Sequence, residues 1–249
     1  DADALITVAE PLVGKLKRLY KKKSIYNVTN GFYPEELNLS SPSLRKNFTI
    51  TYSGTLYAGR QDPKDLFLAL KELISEKVIN PEDVEVRFYS GETPWLKKEI
   101  VDYGIDSLVT IYEKIPREEI TKKERESQIL LLIYWGDRKE KGWQSLKIFG
   151  YLVAQRPILV IGGSGGDVVE KMIQETKSGF YCKNFQDIKN FLKESYLEYK
   201  KAGKVSYRGD LDKINKYSYR ERAKDFANIL NQYSINTSDK NLRVNQILH

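Results

Sequence analysis

Residues 143–167, WQSLKIFGYLVAQRPILVIGGSGGD, constrain the fold more than any other stretch of the chain. The pattern predicts a short amphipathic helix, a sharp turn at 155–157, a buried strand at 158–161 and a glycine-rich loop that opens the next helix. Loops at strand ends and helix N-termini carry free backbone N–H groups, which suit anions. The stretch therefore predicts half of an anion site. An ordinary helix–strand–helix unit with a mobile loop is the alternative that these residues leave open.

The same alternation of short apolar runs and helical repeats extends along almost the whole chain. Residues 129–134, ILLLIY, form a wholly apolar run of strand length, as expected for a central parallel strand covered on both faces. Leu66, Leu70 and Leu73 recur at helical spacing after a strand at 48–53. The pattern predicts an α/β fold: a Rossmann-like parallel sheet of about six strands with helices on both faces.

Three segments follow from this pattern. Residues 1–36 are expected to form a βαβ remnant and a hinge, residues 47–233 the main domain, and residues 234–249 a polar tail. Because the chain starts at Asp1 and its one methionine is Met172, we expect the sequence to be a piece of a longer protein.

Composition excludes some kinds of site. The net charge of +7 permits nucleic acid, anionic lipid or a small anionic substrate as partner. The single cysteine, Cys182, excludes an internal disulfide, and the single histidine, His249, makes a histidine-based triad or a His/Cys zinc site implausible. No apolar run approaches the roughly 18–20 residues that span a membrane. We expect a cytoplasmic protein, with peripheral contact at the inner face of the membrane as an open alternative.

Ligands of open parallel sheets bind beyond the carboxyl ends of the strands. The loop 54–63 ends one such strand; its glycines permit close approach of a ligand, and Arg60 offers a planar fork that suits phosphate. A surface arginine in a mobile loop is the alternative. The loop 162–167 is not a dinucleotide fingerprint, since Val168 stands where a glycine is required. The charged segment 117–127 predicts a solvent-exposed helix.

Four segments together resemble a known family. KIFGYLVAQRPILVIGG resembles the pattern K-L-F-E-Y-L-A-x-x-x-P-I-L, and YSGTLYAGRQDPKDLFLAL resembles the first strand and phosphate loop of the same family. ADALITVAEPLVGKLKRLY with NVTNGF resembles the last βαβ of an N-terminal domain and its hinge, and YSYRERAKDFANIL resembles the closing helix. In this order they resemble the C-terminal half of a GT-B glycosyltransferase of the group 1, family 4-like, type.

The resemblance implies a nucleotide-sugar donor, bound without cofactor or metal. The amides of 143–146 would face its phosphate, and family members normally carry glutamate at position 150 to hold the ribose. This chain has Gly150 there, and Gly142 at the partner position eight residues earlier. The residues implied for the donor phosphates are Gly54, Thr55, Arg60, Ser145, Leu146 and Lys147, and those implied for the nucleobase are Glu113, Lys114 and Ile115.

Three functions remain open from the sequence. The first is the donor-binding half of an enzyme that transfers a hexose-type sugar to a glycan or lipid-linked acceptor. Its acceptor site would lie in an N-terminal domain that this sequence lacks, so the chain would be catalytically incomplete alone. The second is a degenerate, non-catalytic nucleotide-binding or scaffold domain, motivated by Gly142 and Gly150. The third, a nucleic-acid-binding module, is motivated by charge alone, and we expect no nucleic-acid partner.

Overall fold

The computed structural model describes residues 2–40, 42–134, 145–163 and 165–247, with side chains up to residue 233. The chain begins with a βαβ unit made of β1 (Ala4–Thr7), α1 (Glu10–Leu19) and β2 (Ser24–Asn27). The two strands pair in parallel in a sheet of their own. A linker that contains a 3-10 helix, Pro34–Asn38, leads to the main domain.

Six parallel strands form the main sheet, in the order β5-β4-β3-β6-β7-β8. The chain therefore runs outward from β3 on one side, returns to β6, and continues outward on the other side. This reversal creates a crevice at the carboxyl ends of β3 and β6, where open parallel sheets bind their ligands. The predicted Rossmann-like sheet of about six strands is confirmed. Its strands are β3 (Phe48–Ser53), β4 (Val84–Tyr89), β5 (Val109–Tyr112), β6 (Ile129–Ile133), β7 (Ile158–Ile161) and β8 (Gly179–Tyr181).

Helices cover both faces of this sheet. The last of them runs on to Ile247, past residue 233, where the sequence predicted the start of a polar tail. Among the described residues, no helix is long and apolar enough to cross a membrane. The helices of the main domain are α2 (Lys64–Ser75), α3 (Pro94–Tyr103), α4 (Arg117–Arg125), α5 (Lys147–Ala154), α6 (Val168–Thr176), α7 (Phe185–Ala202), α8 (Leu211–Asn215) and α9 (Tyr219–Ile247).

The central strand β6 explains why its sequence is apolar throughout. Successive side chains of a strand point to opposite faces of the sheet. Leu131 packs in the apolar cluster on one face, with Leu66 and Leu70 of α2, whereas Leu130 and Leu132 pack in the cluster on the other face. Burying one leucine side chain contributes about 1.5–3 kcal/mol, so a polar residue at any of these positions would be costly.

The charged helix α4 has a solvent-exposed face, as its composition predicted, at residues 117–119 and 122, but its other face is buried. Glu124 and Arg125 are 1% and 2% exposed. The Arg125 guanidinium donates hydrogen bonds to the carbonyl oxygens of Glu36 and Leu39 in the linker and, at 2.9 Å, of Val153 in α5. The expectation was wrong for these two residues because α4 packs between the linker and α5, where main-chain carbonyl groups need donors. The Arg125 guanidinium thus ties the linker to α5.

Candidate functional site

A cleft of about 610 Å³ opens at the carboxyl end of the sheet. Its volume lies in the range of small-molecule sites, about 300–1,000 Å³. Strand ends form its floor, and the first turns of α4 and α5, the linker and the start of α9 form its walls. Its lining includes Ser53, Gly54, Tyr89, Lys114, Ile115, Arg117, Leu146, Lys147 and Gly150, together with Phe32, Tyr33, Glu36 and Tyr219 from the linker and α9.

Lys147 and Gly54 both line this cleft and contact each other. The Lys147 ammonium donates to the Tyr52 hydroxyl at 2.9 Å and to the Thr55 carbonyl at 3.4 Å, and it lies 4.7 Å from the Tyr52 ring centroid. Gly54 has φ +102°, and a Cβ there would lie 2.7 Å from Lys147 Cε. The positive φ favours glycine at this position, and any side chain there would displace the lysine stem that crosses it. The structure brings together three residues that the resemblance assigned to phosphate.

Burial lowers the pKa of Lys147 to about 8; the nearby Glu124 opposes this shift and Lys114 adds to it. The ammonium is thus partly stripped of water and lacks a carboxylate at hydrogen-bond distance among the described residues. An anion that entered the cleft would supply the missing counter-charge and would raise the pKa again.

This shift predicts a pH dependence of anion binding. As pH rises through about 8, free Lys147 loses its proton, and binding of a phosphate must take the proton up again. The affinity should therefore be flat from about pH 7 to 8 and then fall, by up to tenfold per pH unit. Calorimetric titration with a nucleoside diphosphate between about pH 7 and 9.5 measures this. A Lys147→Arg variant keeps its charge throughout and should lose the fall. A wild-type affinity that stays constant to pH 9.5 would contradict the assignment.

The segment after β5 joins the same cleft. Lys114 Nζ donates to Thr55 Oγ1 at 3.0 Å, and Ile115 lines the wall. Glu113 is exposed and does not line the cleft. The structure thus places the predicted nucleobase segment against the predicted phosphate loop, with Lys114 as the direct link.

The remaining phosphate candidates divide into two groups. Ser145 is buried, its Oγ accepts from Lys147 N at 3.3 Å, and Leu146 is 65% exposed at the cleft wall. Arg60 is exposed on a turn that is closed by a hydrogen bond from its own backbone N–H to the Tyr57 carbonyl, at 3.0 Å. The Arg60 side chain does not line the cleft. Gly142, the amides of 143 and 144 and most of the loop before them lie outside the described residues.

Three amides at the start of α6 are not free, although the sequence predicted free amides there. Asp167 Oδ1 accepts from Val169 N and Glu170 N, both at 2.9 Å, and Glu170 Oε2 accepts from Gly166 N at 2.6 Å. The prediction of an anion site was wrong for these three amides, because carboxylates of the chain itself occupy the helix N-terminus.

Gly150 carries a neighbour that the sequence did not reveal. A Cβ at this position would lie 2.8 Å from both Nη1 and Nη2 of Arg117, the first residue of α4. Arg117 is paired with Glu36 at 3.6 Å and with Glu124 at 3.8 Å. Ser53 Oγ donates to Glu124 Oε1 at 2.7 Å, and burial raises the pKa of Glu124. A guanidinium, and not a carboxylate, therefore covers the position that the resemblance assigned to ribose.

No family model matches the chain, and no curated protein matches its sequence. Solved structures do match. A TarM mutant from S. aureus, in complex with fondaparinux, alpha-GlcNAc-glycerol and UDP, aligns with a TM-score of 0.63 at 13% identity over 92% of this chain and 44% of its own. The pneumococcal O-GlcNAc transferase GtfA, in complex with UDP and GlcNAc, aligns with a TM-score of 0.61 at 12% identity over 93% and 45%. This is the GT-B glycosyltransferase fold.

The GT-B match covers this chain much more fully than it covers the matched proteins. A glycosyltransferase from Rickettsia africae ESF-5 aligns with a TM-score of 0.63 at 14% identity over 91% of this chain and 62% of its own length. For TarM and GtfA, this chain spans less than half of the matched protein. The match at these identities establishes the fold, and the chemistry must be argued from the cleft.

Proposed function

We propose that this chain is the donor-binding half of a glycosyltransferase and that its cleft binds a nucleotide-diphosphate sugar. The observation that carries the proposal is the half-buried Lys147 ammonium, which lies across Gly54 at the crevice of the sheet. The cleft has the volume for such a ligand, and two structures of the same fold contain UDP. The sugar would be a hexose, and the acceptor a glycan or a lipid-linked glycan held with the help of an N-terminal domain.

The contribution of these residues to sugar transfer follows from charge. When the bond between the sugar and the phosphate breaks, its electron pair stays on the diphosphate, and an acceptor oxygen bonds to the sugar while losing its proton. Lys147 and the first turn of α5 would stabilise the charge on the departing diphosphate without a metal. A charge-assisted hydrogen bond contributes about 1.5–3 kcal/mol. The group that takes the acceptor proton would come from the rest of the enzyme.

The environment of Gly150 favours a second candidate, a degenerate domain that binds nucleotide without transferring sugar. In this alternative Arg117 has replaced the ribose clamp, and the domain serves as a scaffold. Both candidates fit a cytoplasmic protein. Peripheral contact with the inner face of the membrane would suit an enzyme with a lipid-linked acceptor. Neither candidate requires a nucleic-acid partner. The cations Lys114, Arg117 and Lys147 line a concave cleft, which suits a small anionic ligand.

Calorimetric titration tests the proposal. UDP, GDP and ADP are titrated into the protein, each beside its nucleoside. We expect one diphosphate to bind with one-to-one stoichiometry, and its nucleoside to bind at least about tenfold more weakly. Binding by none of the three would contradict the proposal. Sugar transfer by the full-length protein separates the candidates: tight donor binding without transfer would favour the degenerate domain.

Arg60 allows a test of the phosphate loop that is independent of Lys147. Arg60→Ala is expected to weaken binding of the nucleoside diphosphate by at most about threefold and to leave the nucleoside unaffected, because Arg60 is exposed and lies outside the cleft lining, where its charge can act on the phosphates only at a distance. The same titration pair measures both. An equal loss of affinity for the nucleoside diphosphate and for the nucleoside would show that Arg60 does not act on the phosphates.

A further inference from the structure

The Arg117 guanidinium lies against Gly150 of α5, the helix that also carries Lys147. Gly150 lies three residues, or about 4.5 Å, further along α5 than Lys147. The absence of a side chain at Gly150 lets the Arg117 guanidinium rest on the helix, since a Cβ would lie 2.8 Å from both terminal nitrogens. Both residues line the cleft. The cleft therefore presents a second cation, Arg117, which rests on α5 three residues beyond the position that carries Lys147.

The present partners of Arg117 hold it weakly. Its separations from Glu36 and Glu124, 3.6 and 3.8 Å, exceed the usual 2.7–3.2 Å of an N–H···O hydrogen bond. The side chain is 54% exposed, and burial raises the pKa of Glu124, which weakens that residue as a counter-ion. A guanidinium carries five N–H donors, so Arg117 retains donors for a ligand that enters the cleft.

The charge balance of the cleft also favours an anionic ligand at Arg117. Lys114, Arg117 and Lys147 line it, against the single carboxylate of Glu36 among its described lining residues. A diphosphate at Lys147 would leave the Arg117 end unmatched. A planar guanidinium pairs in a bidentate manner with phosphate or carboxylate, whereas a sugar diol is better matched by a carboxylate. Dinucleotide-binding domains show the same contrast, with an acid for a ribose hydroxyl and an arginine for a ribose phosphate.

We propose that Arg117, seated on Gly150, is an anion subsite, and that the cleft selects a nucleotide ligand with a second anionic group beside its diphosphate. This inference rests on the proposed function and narrows its donor class. The shared chemistry is an oxyanion within reach of the guanidinium. It could be a phosphate on the ribose or a carboxylate on the sugar, and the experiment distinguishes the two.

The experiment measures affinities for matched ligand pairs. UDP, ADP and GDP are each compared with the counterpart phosphorylated at the 2′ or 3′ hydroxyl. UDP-glucose is compared with UDP-glucuronic acid, and GDP-mannose with GDP-mannuronic acid. We expect the second anion in one of the two series to raise the affinity at least about tenfold. A gain in the first series identifies a ribose phosphate, and a gain in the second series identifies a sugar carboxylate.

Two variants assign the gain to Arg117. Arg117→Gln should abolish it, and Gly150→Ala, which keeps the arginine but displaces its guanidinium, should reduce it. Lys98→Gln, which removes an exposed cation paired with Asp102 on α3, should leave it unchanged. Equal affinity within every pair, or a gain that survives Arg117→Gln, would overturn the inference while leaving the proposed function intact. Binding of no nucleotide at all would show that the proposed function itself is wrong, and the inference with it.

Discussion

Replacing Lys147 by methionine is expected to weaken binding of the nucleoside diphosphate by about 10- to 100-fold and to change binding of the nucleoside by less than about threefold. Methionine keeps most of the apolar stem that lies over Gly54 and removes the charge. The lost interaction is a charge-assisted contact with phosphate in a half-buried position, about 1.5–3 kcal/mol. Calorimetry with both ligands measures the difference.

The matched control is Lys98→Met, since Lys98 is exposed and paired with Asp102 on α3. It should change neither affinity. Circular dichroism and thermal unfolding of both variants show whether the fold is kept, because Lys147 also donates to Tyr52 and Thr55. Similar losses for the nucleoside and the diphosphate would mean that Lys147 shapes the cleft and does not contact phosphate.

Arg87→Met is expected to lower the free energy of unfolding by about 3 kcal/mol. Arg87 is 1% exposed and donates to Glu126 Oε1 at 2.6 Å, to Thr51 Oγ1 at 3.0 Å and to Ser127 Oγ at 2.8 Å. Removing one partner of a buried ion pair costs about 3–5 kcal/mol because the other charge is left uncompensated. Lys123 lies 3.5 Å from the Glu126 carboxylate and would compensate in part, which places the expected loss at the lower end.

Thermal unfolding should show this loss as a fall in Tm of about 6–12 °C for a domain of this size. The control is Arg45→Met, which breaks an ion pair with Glu85 in which Arg45 is 42% exposed. It should cost no more than about 1 kcal/mol, as surface ion pairs do. If the two variants destabilise equally, the buried network around Arg87 does not have the stabilising role that its geometry implies.

The sequence predicted the sheet well because the sheet depends on local patterns. The apolar run of β6 must fill both faces, and the helical repeat of Leu66, Leu70 and Leu73 fits one face of α2, all three fully buried. The start of α6 also carried a readable signal that the anion hypothesis overlooked. Asp167 followed three residues later by Glu170 is a helix N-cap pattern, which indicates that carboxylates of the chain itself satisfy the free amides.

The contact between Arg117 and Gly150 could not be predicted from these patterns. The two residues are far apart in sequence, and they meet because α4 packs against α5 across the end of the sheet. Composition alone made α4 look solvent-exposed, although it buries Glu124 and Arg125. The contact also changes what a glutamate at position 150 would do. Its side chain would first meet the Arg117 guanidinium, so an ion pair would form before any contact with ribose.

A crystal structure of this chain with the nucleoside diphosphate that binds it would test the central claim most directly. We predict the two phosphates in the cleft, with an oxygen atom within hydrogen-bond distance of Lys147 Nζ and the diphosphate beside Gly54. A second groove of about 590 Å³ at the other end of the sheet, with Lys177, Lys201 and Arg208 in its lining, offers an internal comparison. Phosphates bound in that groove, with the cleft at Lys147 empty, would contradict the claim that Lys147 and Gly54 form the diphosphate site.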